Sequence, residues 1–330
     1  MGELRRDPIT GRWVIVDTDS PLSPEDFEKE IHQWRGGECP FCYGNESLTP
    51  PEIEAIRIEE THPNTPGWKV RVVPNKFPAL MVEGDLDKRG VGIYDMSCGI
   101  GAHEVIIETP YHHKDIPNLL DEEVKDILEM CCRRATDLKN DKRFKYILVF
   151  KNHGPSAGAS LEHPHTQLIA LPMIPKNVIE ELRGSHYYFE YRERCIFCDI
   201  LRQELQEKER IVSENRNFLA FCPFVSRFPF EIWILPKKHN PDFFDMRIEE
   251  LGDLAKILKE ALRKTKELLS SPAYNYIIHT SPLDGAEYES YHWHIEIMPK
   301  LTRVAGFEWG TGFYVVPTPP ELAAEYLKEA

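Results

Sequence analysis

The stretches "HPHTQLIALP" at 163–172 and "HWHIEIMPKL" at 292–301 share one form: histidine, any residue, histidine, an apolar run, proline. The likeness extends outward from both. "HEVIIETPYHH" (103–113) lies upstream of the first stretch as "FEIWILPKKH" (230–239) lies upstream of the second. "FKYILVFKN" (144–152) corresponds to "YNYIIHTSP" (274–282). Between these strand-like runs, 120–140 and 248–271 carry apolar residues at helical spacing, the former with acidic residues in its first turn. Each copy also begins near a C-x-x-C, "CPFC" at 39–42 and "CIFC" at 195–198. The order in both is C-x-x-C, strand, strand ending in proline, long helix, strand, H-x-H strand ending in proline. A period of this length is a duplicated fold. It predicts an α+β chain of two tandem units, 1–185 and 186–330, each an antiparallel half-barrel sheet with one long helix. The segment 176–194 reads as a linker with some helix.

The repeat also selects metal ligands. C-x-x-C supplies two of the four donors that a tetrahedral zinc site requires. The histidines after the proline-ended strand and at the H-x-H recur in both copies, at separations of 51 and 53 positions. The predicted sites are Cys39, Cys42, His112 and His163, and Cys195, Cys198, His239 and His292. His113 is an alternative to His112, and His294 to His292. A redox reading of the cysteine pairs fits less well, because thioredoxin-type pairs open a helix after a strand. Borderline donors accept iron as well as zinc, so iron is the alternative in the second site. His103, His186, His32 and His62 read as surface or structural residues.

If His163 binds metal, His165 remains free on the same strand face. A neutral imidazole is a nucleophile at pH 7 without a separate base. Gln167 follows on that face as an amide donor. "NHGPSAGAS" (152–160) brings glycine and serine, so backbone N–H groups approach an anion closely. The second copy has Trp293 in place of Pro164 and "LDGAEYES" in place of the Gly/Ser segment. Only the first copy reads as catalytic.

Composition sets bounds. The chain has 330 residues, 42% of them hydrophobic, and a net charge of -14. The charge argues against a nucleic-acid partner. No run approaches the ~18 apolar residues of a membrane span, and "MGELRRDPITGRW" has no signal-like apolar core. The expectation is a cytoplasmic protein without a membrane partner.

"NHGPSAGASLEHPHTQ" (152–167) closely resembles the active-site segment of galactose-1-phosphate uridylyltransferases, the transferase branch of the histidine-triad superfamily. "DPITGRWVIV", "VRVVPNKFPAL" and "PFEIWILPKKH" extend the resemblance over nearly the whole chain. It implies histidine-triad-like units and a double displacement. His165 attacks the α-phosphorus of UDP-glucose, and galactose 1-phosphate takes the uridylyl group from it. Gln167 and Ser160 then hold phosphate oxygens, Asn75, Asn152 and Gly158 lie by the nucleotide, and the carbonyl of Ala159 steadies the His165 ring. The family is homodimeric, with Phe307 and the 310–312 segment as candidates for the partner's sugar site. Two departures stand out. The segment after "GRWVIV" lacks the family's Arg-x-x-Arg-Pro, leaving Arg12, Lys76 and Lys151 as candidate cations. "GFEWGTGFYVVP" (306–317) and the second cysteine pair resemble the plant-type ADP-glucose phosphorylase subgroup, whose substrates are ADP-glucose and phosphate. A histidine-triad hydrolase is a further alternative, opposed by Gln167 in the third histidine's place.

Overall fold

Alternation along "HTQLIAL" sends His165, Gln167, Ile169 and Leu171 to one face, and Thr166, Leu168 and Ala170 to the other, where all three are buried. That sorting recurs along the chain and generates two faces with different tasks. The computed structural model describes residues 2–29, 38–58 and 60–330. His32 lies outside them.

The elements in chain order are β1 (Glu3–Arg6), β2 (Trp13–Val16), β3 (Glu54–Arg57), β4 (Trp68–Pro74), β5 (Arg89–Val91), β6 (Tyr94–Met96), β7 (Ala102–Ile107), helix α1 (Asp121–Leu138), β8 (Tyr146–His153) and β9 (His165–Leu171). Then come helices α2 (Lys176–Arg192) and α3 (Ile196–Glu207), β10 (Ile211–Glu214), β11 (Phe218–Phe221), β12 (Ile232–Pro236), helix α4 (Ile248–Leu268), β13 (Tyr274–His279), β14 (His294–Pro299), helix α5 (Gly306–Thr311), β15 (Tyr314–Val316) and helix α6 (Pro320–Glu329).

Ten strands form one sheet in the order β10-β11-β12-β14-β13-β8-β9-β7-β4-β3. Read outward from the centre, each half repeats the same sequence of strands. The halves meet where β13 pairs antiparallel with β8, from Tyr274 opposite His153 to Ile278 opposite Val149. The two copies therefore share one sheet rather than two separate ones. Residues 176–194, expected as a linker, are largely the 17-residue helix α2, within which the 185/186 boundary falls.

Helices α1 and α4 cover one face of the sheet. Val124, Ile127, Leu128, Cys131, Ala135 and Leu138 form the buried stripe of α1, and Leu251, Leu254, Ala255, Leu258 and Leu262 that of α4. Both stripes join Val149, Leu168, Ile234 and Ile295 in a common core. A fully buried leucine there contributes about 1.5–3 kcal/mol. The start of α1 is closed by Glu123, whose carboxylate accepts from the Leu120 N–H at 2.6 Å.

Lys151 belongs to this helix-covered face. Its ammonium donates to Glu108 Oε1 at 2.5 Å, and both side chains are almost wholly buried. Thr166 Oγ donates to the same oxygen at 2.7 Å and lies 2.6 Å from the Tyr276 hydroxyl, which comes from the other half of the sheet. Lys151 is thus withdrawn from the role of phosphate cation. Lys151→Met leaves Glu108 as a buried unpaired charge, so it should cost roughly 3–5 kcal/mol in urea melts. Adding Glu108→Gln should return part of that loss. A single variant losing no more than about 1 kcal/mol, the ordinary cost of a point substitution, would argue that the pair is not stabilising.

Candidate active site

The other face carries the candidate site. In the first half, the 39–45 segment folds back on itself through Cys42 N–H to Cys39 O (3.3 Å) and Asn45 Nδ2 to Cys39 O (2.8 Å). This turns both thiols toward His112 and His163. Cys42 Sγ lies 3.3 Å from His112 Nδ1 and 3.6 Å from His163 Nδ1, and Cys39 Sγ lies 3.6 Å from His163 Nδ1. A tetrahedral ion with sulfur and nitrogen donors at ordinary bond lengths sets them about 3.6 Å apart. His163 Nε2–H donates to the Thr109 carbonyl at 2.7 Å, which fixes the tautomer and leaves the Nδ1 lone pair facing the thiols. Burial, and then Cys39, push the Cys42 thiol up to about 11, so a cation is needed to hold it as thiolate. The donor set fits a metal ion, with His112 rather than His113 on Cys42.

Cys195, Cys198, His239 and His292 repeat the arrangement, with Cys198 Sγ 3.5 Å from His239 Nδ1 and 3.6 Å from His292 Nδ1. Cys198 is pulled down to about 3, first by Cys195 and then by the two histidines. One detail differs from the expected knuckle: Cys195 caps the start of α3, so this C-x-x-C does open a helix. It follows another helix rather than a strand, and its thiols face two imidazoles, an arrangement that suits a metal better than a disulfide exchange.

His165 begins β9 and is 6% exposed. Its Nδ1–H donates to the His163 carbonyl at 2.8 Å. That corrects the expected Ala159 carbonyl: a ring at the strand start folds back onto its own chain two residues earlier, while Ala159 N–H donates to Gly154 O at 3.1 Å. Burial lowers the His165 pKa, so the ring is neutral and Nε2 carries the lone pair. Phe41, between the two metal-facing cysteines, packs edge-on against both His165 (5.5 Å) and His163 (6.0 Å).

Gln167 lies on the same strand face, and the loop 154–160 follows β8 beside Asn152, with Gly158 at φ +86 where a side chain would be strained. Ser160 is exposed in that loop. Asn152 accepts from Asn275 Nδ2 at 2.8 Å, and Asn275 also donates to Ala157 O at 2.9 Å, so the second half braces the loop of the first. Asn75 follows β4, its N–H on the His103 carbonyl at 2.8 Å, with Lys76 exposed beside it. His103, read from sequence as surface or structural, lies 2.9 Å from Gln167 and joins the site. Arg12 does not: it lies over Tyr314 (5.7 Å) and lines the cleft above His294. Phe307, in α5, packs on Phe313 beyond the helix, and no hydrogen bond or ring contact ties it to the His165 strand among the described residues.

The equivalent position in the second half is built differently. His294 Nδ1 faces the His292 carbonyl at 3.2 Å, but Trp233 (5.0 Å) and His279 (4.7 Å) stack on its ring. Glu296 replaces Gln167, and with Glu181 it brackets His279 at 3.3 and 3.1 Å. Burial disfavours the His279 charge, yet the two carboxylates outweigh it and push the ring up to about 10. Arg227 closes the network on Glu296 at 2.6 Å. Glu296 has no N–H to offer a phosphate oxygen and is already engaged by His279 and Arg227, so this half lacks the amide donor that Gln167 supplies in the first. The H-x-H-x-E spacing at 292–296 was the available signal; Glu181 and His279 had none.

A neutral imidazole with a directed lone pair, amide donors beside it and a glycine-rich loop define a nucleotidyltransferase on a duplicated α+β scaffold. A family profile described as the galactose-1-phosphate uridyl transferase C-terminal domain matches residues 181–319, and the N-terminal domain of a family of unknown function matches 100–174. The chain is 38% identical to an ADP-glucose phosphorylase of Arabidopsis thaliana over 99% of its length and 92% of that protein. It is 30% identical to a galactose-1-phosphate uridylyltransferase of Thermotoga maritima over 100% and 98%. The crystal structure of the Arabidopsis ADP-glucose phosphorylase with bound ADP-glucose superposes with a TM-score of 0.84 at 36% identity, covering 100% and 99% of the two chains. The chain belongs to the galactose-1-phosphate uridylyltransferase family and is a hexose-1-phosphate nucleotidyltransferase. No described helix is long and apolar enough to cross a membrane.

Proposed function

We propose that His165 carries a nucleotidyl group between a nucleoside diphosphate glucose and a phosphate acceptor. The supporting observation is the Nδ1–H bond to the His163 carbonyl in a buried, neutral ring. In the first half-reaction the Nε2 lone pair attacks the α-phosphorus. The bond to the bridging oxygen breaks, and glucose 1-phosphate leaves with the electron pair. In the second, an oxygen of the acceptor's phosphate attacks the same phosphorus, the P–N bond breaks, and Nε2 recovers its lone pair. Gln167, Ser160 and the backbone of Gly158 and Ala159 hold phosphate oxygens, Asn75 and Asn152 border the nucleotide, and Lys76 is the nearby exposed cation. With UDP-glucose and galactose 1-phosphate the products are glucose 1-phosphate and UDP-galactose. A second reading, ADP-glucose with inorganic phosphate giving ADP and glucose 1-phosphate, is favoured by the greater likeness to the plant phosphorylase.

Each Cys/His cluster holds one zinc ion, with iron as the alternative in the second, and the ion's part is structural. It would pin His163 and with it the strand that presents His165. Exposed Phe77, Ile93, Tyr94 and Trp309 suit a second copy of the chain as partner, Phe307 then serving the other subunit's sugar site. The test is incubation with labelled UDP-glucose or ADP-glucose, without acceptor, followed by intact-mass measurement. The expected result is an acid-labile adduct on His165, of uridylyl or adenylyl mass according to the true donor. Turnover without any adduct would refute the double displacement.

A further inference from the structure

We propose that His103 is a positioning residue for Gln167, fixing its amide so that the NH2 group rather than the carbonyl faces the phosphate beside His165. The proposal rests on the reading of His165 and Gln167 given above.

His103 lies on β7 and Gln167 on the neighbouring β9, whose register sets Val105 opposite Gln167 and His103 opposite Ile169. His103 and Gln167 are therefore diagonal neighbours on one face, within reach of long side chains. Counting protons decides the orientation. The Ala79 N–H donates to His103 Nδ1 at 3.3 Å, so Nδ1 is an acceptor and a neutral ring carries its proton on Nε2. That proton meets Gln167 Oε1 at 2.9 Å. With its oxygen engaged, Gln167 turns both amide hydrogens the other way.

Asn75 completes the arrangement. Its Oδ1 accepts from the Phe77 N–H at 2.9 Å, which leaves Nδ2 as the end nearer the ring, 3.0 Å from His103 Nε2. Two donors cannot satisfy each other, so the Asn75 amide hydrogens find no acceptor on a ring protonated at Nε2 and are left for a ligand. Two NH2 groups, each with its carbonyl oxygen already bonded, then stand in one place. A phosphate oxygen only accepts, so this is the orientation it requires. A flipped Gln167 would present a carbonyl oxygen and repel it.

Long-range proton–nitrogen NMR on the full chain with labelled histidine reads the tautomer directly, His103 being assigned from the His103→Gln spectrum. The Nε2–H form is expected, and an Nδ1–H form overturns the proposal whatever the enzyme's substrate. Kinetically, His103→Leu should lower kcat/KM for the nucleotide donor about 10–100-fold, the range for partners that orient a functional side chain. His103→Gln, whose amide nitrogen reaches the same oxygen, should recover most of that. In a Gln167→Ala background the His103→Leu change should cost less than about threefold, since residues that act through each other are not additive. Additive losses overturn the positioning role. A Gln167→Ala variant with normal turnover would instead count against the underlying reading of the site.

Discussion

His165→Ala lowers kcat by about 10⁴-fold or more, the scale on which removing a covalent nucleophile acts, and abolishes the nucleotidyl adduct. The size follows from the absence of a substitute. His294 is the positional equivalent, but Trp233 and His279 stack on it and Glu296 stands where Gln167 would hold phosphate. His163 has its Nε2 proton on Thr109 and its Nδ1 facing two thiols. Rapid-quench measurement of glucose 1-phosphate release reads the effect, with the wild type giving a burst of one equivalent per site. Residual turnover within a hundredfold of wild type would move the nucleophile elsewhere.

Cys42→Ser removes one metal equivalent per chain, lowers the melting temperature and cuts turnover. The apparent free energy of a structural zinc site is about 10–16 kcal/mol at pH 7, whereas whole domains are stable by only about 5–15 kcal/mol. Losing part of that interaction is therefore felt throughout the fold. The loss would reach His165 because His163 lies two residues away and supplies the carbonyl that holds its ring. Cys198→Ser should also remove one equivalent and destabilise the chain, while the half-reaction at His165 is less affected. Elemental analysis and calorimetry decide the matter. A wild type holding no metal after metal-replete purification, or a Cys42→Ser chain with an unchanged melting temperature, contradicts this account.

The duplication was legible because strand faces are written in the sequence with period two. His163 and His165 repeat as His292 and His294, and each copy of the pattern folds into the corresponding strand. The cysteine and histidine partners were legible for the same reason: two copies at matched spacing constrain each other. Pairing across strands was not. "YILVFKNH" and "YNYIIH" both read as apolar runs, and nothing in either says that they would pair with each other. Lys151 was a candidate cation, but it lies on the helix-covered face, one residue of strand from Asn152 on the other. His103 gave no signal, since its value lies in Gln167, 64 positions away.

The seam between β8 and β13 has one more consequence. Five residues of each strand have their main-chain groups tied across it, and Val149, Phe150, Ile277 and Ile278 lie along it. A fragment ending before α2 would present that row as a bare, apolar margin, and the complementary fragment would present its mirror. Each is a template for adding strands from any chain that passes. Joined in one polypeptide, the two margins cover each other in the folded chain. The second copy thus covers the first copy's open edge, with Asn275 reaching past the seam to steady the 154–160 loop.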